Sequence, residues 1–405
     1  MKYQKHQVLK KNLLLIIGIL LIATNLRAPF TSLSPLLDMV RSSFELTAAQ
    51  AGLLQTLPLL AFAIFSPCAA GLAHKVGMEK ALFLALVTIA IGVCIRSFLG
   101  LTGLYGGTLL VGLGIAIGNV LLPGILKRDL PHKAASLTGF YALTMGLAAA
   151  LGSAAVIPLT QYFHTGWQNS ILFVLVFPLV ALAVWLPQLT RNNVQQDNLG
   201  VIQVQPKTGV WGAGLAWQVS LYFGINSFIY YIIVAWLPSM LLHLGFSVAE
   251  AGSLHGVLQL STAVPGFFIG PVLVRLRDQR ALGVLFALLG FLGLIGLMAI
   301  PSLATLWVVL LGISTGAGVI LGLAFISLRS ANSTQAASLS GMAQCVGYLL
   351  AAIGPPIAGM IHDRIGNWTL PLAGCAVLAL ILMIFGYMAG RSRLLPVITA
   401  LDATS

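Results

Sequence analysis

Long apolar runs separated by short polar breaks recur along the whole chain. A helix that crosses a bilayer needs about 20 mostly apolar residues. The runs predict spanning helices near 13–36, 49–73, 80–98, 102–126, 134–160 and 168–187, and again near 213–241, 248–274, 281–300, 303–328, 335–361 and 368–389. The third and fourth runs are divided only by Leu99 to Gly103. A polar segment at 188–212, with Asn192, Asn193, Gln195, Gln196, Asp197 and Pro206, separates the two sets of six. Residues 2–11 are basic and 13–23 apolar, an order shared with signal peptides. The apolar stretch runs on toward Pro35 without a small-residue cleavage site, so an uncleaved first helix is expected.

Composition agrees. Hydrophobic residues make up 59% and charged residues 7% of the 405, where a soluble domain carries roughly 25% charged residues. The chain cannot cover a water-facing globule of its size, and lipid is the apolar partner expected. The net charge of +12 does not point to nucleic acid, because the basic residues sit in short gaps and form no stripe interleaved with aromatics. With the N-terminus in the cytoplasm, 17 of the 21 basic residues fall on the cytoplasmic side; the other four are Arg27, Arg41, Arg96 and Arg364. The bias predicts a multi-pass protein of the inner (plasma) membrane with both termini cytoplasmic. Cys68, Cys94, Cys345 and Cys375 all lie in apolar runs without metal-type spacing and read as small packing residues.

The two sets of six resemble each other. Thr47-Ala48-Ala49-Gln50-Ala51-Gly52 matches Ser247-Val248-Ala249-Glu250-Ala251-Gly252, and Ala134-Ala135-Ser136-Leu137-Thr138-Gly139 matches Ala336-Ala337-Ser338-Leu339-Ser340-Gly341. Gly152 pairs with Gly354 and Trp167 with Trp368, all at offsets of 200 to 202 residues. Six helices per repeat give both halves the same orientation. The fold expected is therefore an all-α membrane protein with twelve transmembrane helices in two parallel-repeat six-helix bundles, 1–187 and 213–405, joined by a cytoplasmic linker at 188–212. Such repeats place a substrate site between the bundles near the midplane, and rocking of one bundle against the other alternates access to it.

Twelve spans, a 6+6 repeat and a polar linker resemble the major facilitator superfamily. Its signature between spans two and three, roughly G-x-L-A-D-R-x-G-R-K, corresponds here to the degenerate segment Ala70-Gly71-Leu72-Ala73-His74-Lys75-Val76-Gly77-Met78-Glu79-Lys80, in which Leu72, Ala73, Lys75 and Gly77 fit while His74 replaces the acidic residue and Met78 the arginine. Asn25-Leu26-Arg27, Gly118-Asn119-Val120-Leu121-Leu122-Pro123-Gly124, Lys127-Arg128-Asp129, Gly252-Ser253-Leu254-His255-Gly256 and Ser340-Gly341-Met342-Ala343-Gln344 are similar to the cyanate permease branch of that superfamily. The resemblance implies a secondary active or facilitative transporter for a cyanate-like anion or a nitroimidazole-like compound.

Polar residues inside the spans are the candidate site. All nine acidic residues fall outside the span interiors. Arg27 does not: it lies about 21 Å along span one at ~1.5 Å per residue. Thr24, Arg27, Thr31 and Ser34 follow the spacing of one helix face. A central arginine costs at least ~2.5–3.5 kcal/mol on insertion scales and is expected to face an aqueous cavity; bonding to neighbouring carbonyls is the structural alternative. Arg96, in the last turn of span three, is expected to snorkel to the outer interface. His255 and Gln259 share a face of span eight, with Thr262 one turn on. Tyr222, Asn226 and Tyr230 line span seven, and Ser340, Gln344 and Tyr348 span eleven. Asn119 and Tyr141 complete the set. The substrate-binding residues expected are Arg27, Asn119, Tyr141, Asn226, Tyr230, His255, Gln259, Gln344 and Tyr348, with His255 also the candidate for proton coupling. Packing among themselves is the alternative for each. Gly354-Pro355-Pro356 is expected to interrupt span eleven, and Pro58 and Pro67 span two.

Other function classes fit less well. A multidrug-type efflux transporter is the nearest alternative. Gly312-Ile313-Ser314-Thr315-Gly316 matches the GxSxG of hydrolases, but it lies in a glycine-rich span rather than at a strand–turn–helix elbow. An intramembrane hydrolase and a nutrient sensor are the remote alternatives. Neither cofactor nor metal is expected; the partners are a small-molecule solute and the bilayer, and a monomer is compatible with both.

Overall fold

The computed structural model describes residues 2–130, 134–162, 166–189, 209–331 and 333–396. Most of the expected linker, 190–208, lies outside them. The described residues contain twelve helices long and apolar enough to cross a membrane and no strand. They are numbered here α1 to α12. Helix α1 is composite, with pieces Lys2–Asn25, Ala28–Thr31 and Leu37–Phe44. Then follow α2 Ala48–Val76, α3 Met78–Phe98, α4 Gly100–Asp129, α5 Ala134–Tyr162, and α6 in two pieces, Trp167–Phe173 and Val176–Trp185. In the second set, α7 is Gly214–His243, α8 is Val248–Ala263 with Pro265–Arg275, α9 is Arg280–Ala299, α10 is Ala304–Leu328, α11 is Ser333–Ile365 and α12 is Thr369–Ala389.

The repeat seen in the sequence is a repeat of local structure. Thr47 and Ser247 each cap the following helix, and Gln50 and Glu250 reach back to complete a capping box in both. Small residues set the closest approaches. A Cβ on Gly92 would lie 2.7 Å from the Gly107 carbonyl oxygen, and one on Gly283 would lie 2.7 Å from that of Gly386, so α3 meets α4 and α9 meets α12 backbone to backbone.

The prolines do not break the helices where the sequence suggests. Helix α11 runs unbroken through Pro355 and Pro356, and α2 through Pro58 and Pro67. A proline cannot bond the carbonyl four residues back, so Pro356 releases that of Ala352. Thr56 of α2 donates to it. The Pro355 carbonyl in turn accepts from Trp236 Nε1 at 2.9 Å. The breaks fall elsewhere: in α1 at residues 26–27, ahead of Pro29, and again at 32–36, in α6 at Val174 and Leu175, ahead of Pro178, and in α8 at Val264, ahead of Pro265.

The first and last six helices meet along two seams, α2 with α11 and α5 with α8. Both seams are tight toward the end that carries Asp363. A Cβ on Gly52 would sit 2.8 Å from the Pro355 carbonyl, one on Gly359 would sit 2.5 Å from that of Ala48, and one on Gly256 would sit 3.0 Å from that of Ala150. At the same end the Asp363 carboxylate accepts the Ala48 and Ala49 backbone N–H groups, both at 3.0 Å, at the start of α2. Arg41 reaches it at 3.6 Å and also pairs with Asp38 at 3.2 Å, while Ser239 of α7 donates to Asp38 at 2.7 Å. Toward the other end a Cβ at Gly71, Gly266, Gly270 or Gly341 would meet nothing within 4 Å, and the Pro265–Arg275 piece of α8 has little contact with α5. The described structure is closed at the Asp363 end and parted at the other.

At the parted end, Arg128 of α4 pairs with Glu79 at 2.5 Å and Asp129 at 2.8 Å. Glu79, beside the exceptional Met78, thus supplies the acidic partner. Burial alone lowers the Arg128 guanidinium, but its bonds to Asp129 and Glu79 outweigh that and hold it above the usual arginine value. The guanidinium therefore stays charged through any physiological pH.

Asp363→Ala removes the acceptor for two helix N-terminal N–H groups and the Arg41 pair. Hydrogen bonds to a charged group contribute about 1.5–3 kcal/mol, so amide exchange at Ala48 and Ala49 is expected to rise roughly tenfold or more, with faster exchange spreading along Gly52 to Thr56. Unchanged exchange there would show that apolar packing alone closes this end.

Candidate functional site

The site is built where two broken helices face each other. After Asn25 the α1 backbone leaves helical geometry, and Arg27 sits at the turn with φ −133° and ψ −46°. Its carbonyl accepts the Phe30 and Thr31 backbone N–H groups and the Thr31 hydroxyl. Its guanidinium Nη1 donates to Thr262 Oγ1 of α8 at 2.7 Å. Thr262, beside the Val264 break, donates its own hydroxyl hydrogen bond to the Gln259 carbonyl at 2.7 Å. The Arg27–Thr262 bond therefore joins the two discontinuities and the two sets of six helices.

Aromatic rings surround the cation. The Arg27 guanidinium carbon lies 5.4 Å from the centre of the Tyr230 ring, within cation–π range. Its charge also acts on the hydroxyls of Tyr141, Tyr231 and Tyr348. Tyr230 and Tyr231 meet edge to face at 4.9 Å, Phe30 meets Tyr231 at 5.9 Å, and Tyr348 sits between Phe62 at 5.8 Å and Phe223 at 6.0 Å. Tyr230 donates to Gln259 Oε1 at 3.3 Å. Four tyrosines from α5, α7 and α11 thus converge on one half-buried arginine from α1.

Arg27, Tyr141, Tyr230, Gln259 and Tyr348 of the expected residues are brought together. The others are not. Asn226 is 1% exposed and donates to the Thr315 carbonyl at 3.1 Å, so it ties α7 to α10. His255 is fully buried; its Nε2 donates to the Val234 carbonyl of α7 at 3.0 Å, and its Nδ1 has no partner. With that proton on Nε2, the Gln259 amide nitrogen 3.4 Å away is a packing neighbour rather than a donor to the ring. Gln344 is half-buried and bonds Ser340 of its own helix at 2.9 Å. Asn119 is exposed, one position past Gly118, where a Cβ would press on Leu26. Tyr222 packs on Phe325 at 5.2 Å and takes no part.

Two readings of the polar residues are corrected. The Thr24, Arg27, Thr31 and Ser34 stripe assumes a continuous helix, but the break disperses it: Thr24 bonds the Leu21 carbonyl, and Ser34 accepts from Gln55 of α2 at 3.1 Å. Arg96 does not snorkel. It is 1% exposed and donates from Nη1 to the Pro29 carbonyl at 2.7 Å. Leu33 bonds Phe30 in place of Pro29, so the tightened turn frees that carbonyl and Arg96 takes it. Tyr231 was not singled out from the sequence; its signal was the Tyr230-Tyr231 pair itself, one residue off the helical stripe.

Among the described residues no carboxylate enters this region: Asp38, Glu45, Glu79, Asp129, Glu250, Asp278 and Asp363 all stand at or near helix ends, and Asp197 and Asp402 lie outside the description. No group of three potential metal ligands occurs among the described residues. Ser314 of the GxSxG match lies inside the continuous helix α10, 4% exposed, where a Cβ on Gly290 would meet its hydroxyl.

Comparison with known proteins places this geometry. Residues 15–355 match the Major Facilitator Superfamily. The chain is 53% identical to the 2-nitroimidazole transporter of Escherichia coli (strain K12), over 95% of this chain and 97% of that protein. It is 26% identical to the cyanate transport protein CynX of the same organism, over 91% and 95% respectively. The crystal structure of a D-xylose-proton symporter superposes with a TM-score of 0.75 at 13% identity, covering 96% of this chain and all of that one. Twelve apolar helices, an intramembrane cation at two helix breaks and these relatives agree: the chain is a multi-pass membrane transporter, not an enzyme, and belongs to the Major Facilitator Superfamily.

Proposed function

We propose that the protein carries a small, planar, anionic or electron-rich solute across the inner membrane by alternating access, with Arg27 as its anchor. One observation carries this reading: a central arginine has no carboxylate partner among the described residues and instead faces the Tyr230 ring, against which Tyr231 packs edge to face. The guanidinium fork suits a nitro or carboxylate group. Edge-on and face-on tyrosines suit a flat π-system, for which ring contacts contribute about 0.5–1.5 kcal/mol each. A nitroimidazole-like compound uses both features. A linear cyanate-like anion would use only the first, so the ring of tyrosines favours the former.

The expected bundle boundaries, 1–187 and 213–405, agree with seams that run between α2 and α11 and between α5 and α8. The basic-residue bias puts both termini in the cytoplasm, so the closed Asp363 end faces outward and the parted end inward. Alternation then requires Asp363 to release the start of α2 and the inner ends to close.

Proton coupling is a separate matter. His255 is the one intramembrane histidine proposed for it, yet its bond to Val234 fits a pin between α7 and α8. In His255→Gln the proton-gradient dependence of uptake, where wild type has one, is expected to persist while Tm falls. Loss of that dependence at unchanged Tm would assign coupling to the imidazole.

Arg27→Gln is expected to reduce binding of 2-nitroimidazole at least tenfold, since a lost charge-assisted bond is worth ~1.5–3 kcal/mol, with expression and Tm retained. Arg27→Lys should keep part of the affinity, because it preserves the charge and loses the fork. Counterflow in proteoliposomes measures both. Wild-type affinity in a well-folded Arg27→Gln protein would make the arginine structural.

A further inference from the structure

At the parted end, the feet of α9 and α12 border an open cavity of about 340 Å³ lined by Arg280, Tyr387, Arg391, Ser392 and Arg393. It lies far along the chain from the Arg27 site and belongs to neither seam. Three of its five lining residues are arginines, and the balance of charge is lopsided. Arg280 pairs with Asp278 at 3.3 Å; Arg391 and Arg393 have no carboxylate partner among the described residues.

The cavity is held in shape. The Arg280 and Arg391 guanidinium carbons lie 5.3 and 5.6 Å from the Tyr387 ring centre, and Arg280 also donates to the Tyr387 hydroxyl at 3.3 Å. The segment after α12 is pinned rather than left as a tail. Gln279 donates from its backbone to the Gly390 carbonyl at 2.9 Å, Leu395 donates to the Arg329 carbonyl at 2.8 Å, and Gln335 reaches the Pro396 carbonyl at 3.0 Å. Arg329 closes the same corner by donating to the Ala389 carbonyl at 2.8 Å. Arg391 and Arg393 are thus presented at a fixed place, where the apolar spans end.

An apolar track leads to it. Val377, Leu380, Ile384 and Tyr387 follow one face of α12 and are 57%, 42%, 58% and 45% exposed. Their spacing places each one turn above the next, ending at the cavity. Leu394, beside Arg393, is 61% exposed. A soluble anion has no use for such a track; a lipid acyl chain does. Basic pockets between helices at the cytoplasmic side suit phosphorylated head groups.

We propose that this cavity binds the head-group phosphate of an anionic phospholipid, with Arg391 and Arg393 as its main ligands, Ser392 and Tyr387 as hydroxyl donors, and the acyl chains along the exposed face of α12. The site is independent of the transported solute.

Native mass spectrometry of the full chain, released from nanodiscs of equal phosphatidylglycerol and phosphatidylcholine, tests it. Wild type is expected to retain phosphatidylglycerol in preference to phosphatidylcholine. The double variant Arg391→Gln/Arg393→Gln is expected to lose that preference by roughly thirtyfold, since each arginine near an anionic lipid contributes about 1 kcal/mol. Arg275→Gln/Arg277→Gln removes equal charge from exposed residues outside the cavity and is expected to retain the preference. Retention of phosphatidylglycerol by the first variant, or equal loss in both, would overturn the site. Displacement of the lipid by inorganic phosphate at millimolar concentration would overturn its assignment to lipid. Circular dichroism and Tm of each variant confirm that all remain folded.

Discussion

A charged guanidinium in the middle of a membrane protein, with no carboxylate near it among the described residues, constrains much of the rest. Arg27 cannot face lipid without a cost of several kcal/mol, so α1 must turn it inward, and something inward must accept its hydrogens. The protein meets this with a broken helix rather than an acidic side chain. The break in α1 brings the guanidinium within 2.7 Å of Thr262, itself beside the break in α8. Irregular backbone at membrane depth is tolerated only where protein or a cavity satisfies it. Here Arg96 supplies part of that satisfaction by taking the Pro29 carbonyl. One buried cation therefore shapes the turn that presents another.

The same rule explains the seams. Every backbone carbonyl that a proline releases inside the membrane must find a donor. In α11 the Ala352 carbonyl freed by Pro356 finds its donor outside the helix, in Thr56 of α2, and Trp236 of α7 adds a bond to the Pro355 carbonyl. Thr56 belongs to the opposite set of six helices, so the integrity of α11 at Pro356 depends on the closed seam. Parting this end would leave the Ala352 carbonyl to water. The prolines that look like breaks in the sequence are better described as acceptors for the neighbouring helices.

Much of this was legible in the sequence, for definable reasons. Span count and repeat follow from apolar length and from capping pairs such as Thr47 with Gln50, which are local. Arg27 was legible because a charge in an apolar run is rare. What escaped depends on backbone choices that the residue pattern does not decide. Pro29 and Pro265 follow breaks in their helices, whereas Pro355 and Pro356 do not, and at Pro356 the freed Ala352 carbonyl is taken by Thr56 of the neighbouring helix. Helical stripes drawn through a break, such as Thr24 to Ser34, fail with it. Asn226 and His255 were correctly read as facing inward, but facing inward includes facing the next helix, and both are spent on α10 or α7. Tyr231 was passed over because it lies beside the stripe that Tyr230 occupies.

On the proposed reading, Arg27 also links solute binding to motion in a way that needs no titrating carboxylate. Its bond to Thr262 crosses from the first six helices to the last six. A solute that takes the guanidinium for itself competes with that bond. Loading would then weaken one tie between the halves while a solute bracketed by Tyr230 and Tyr231 of α7 and Tyr141 of α5 would create others. A ligand shifts a conformational equilibrium only by its differential affinity for the two states. On the proposed reading the exchange of partners at Arg27 is one source of that difference, and it sits at the two breaks where α1 and α8 are already free to bend. The carrier would respond to its solute because the cation that binds it is also a fastener.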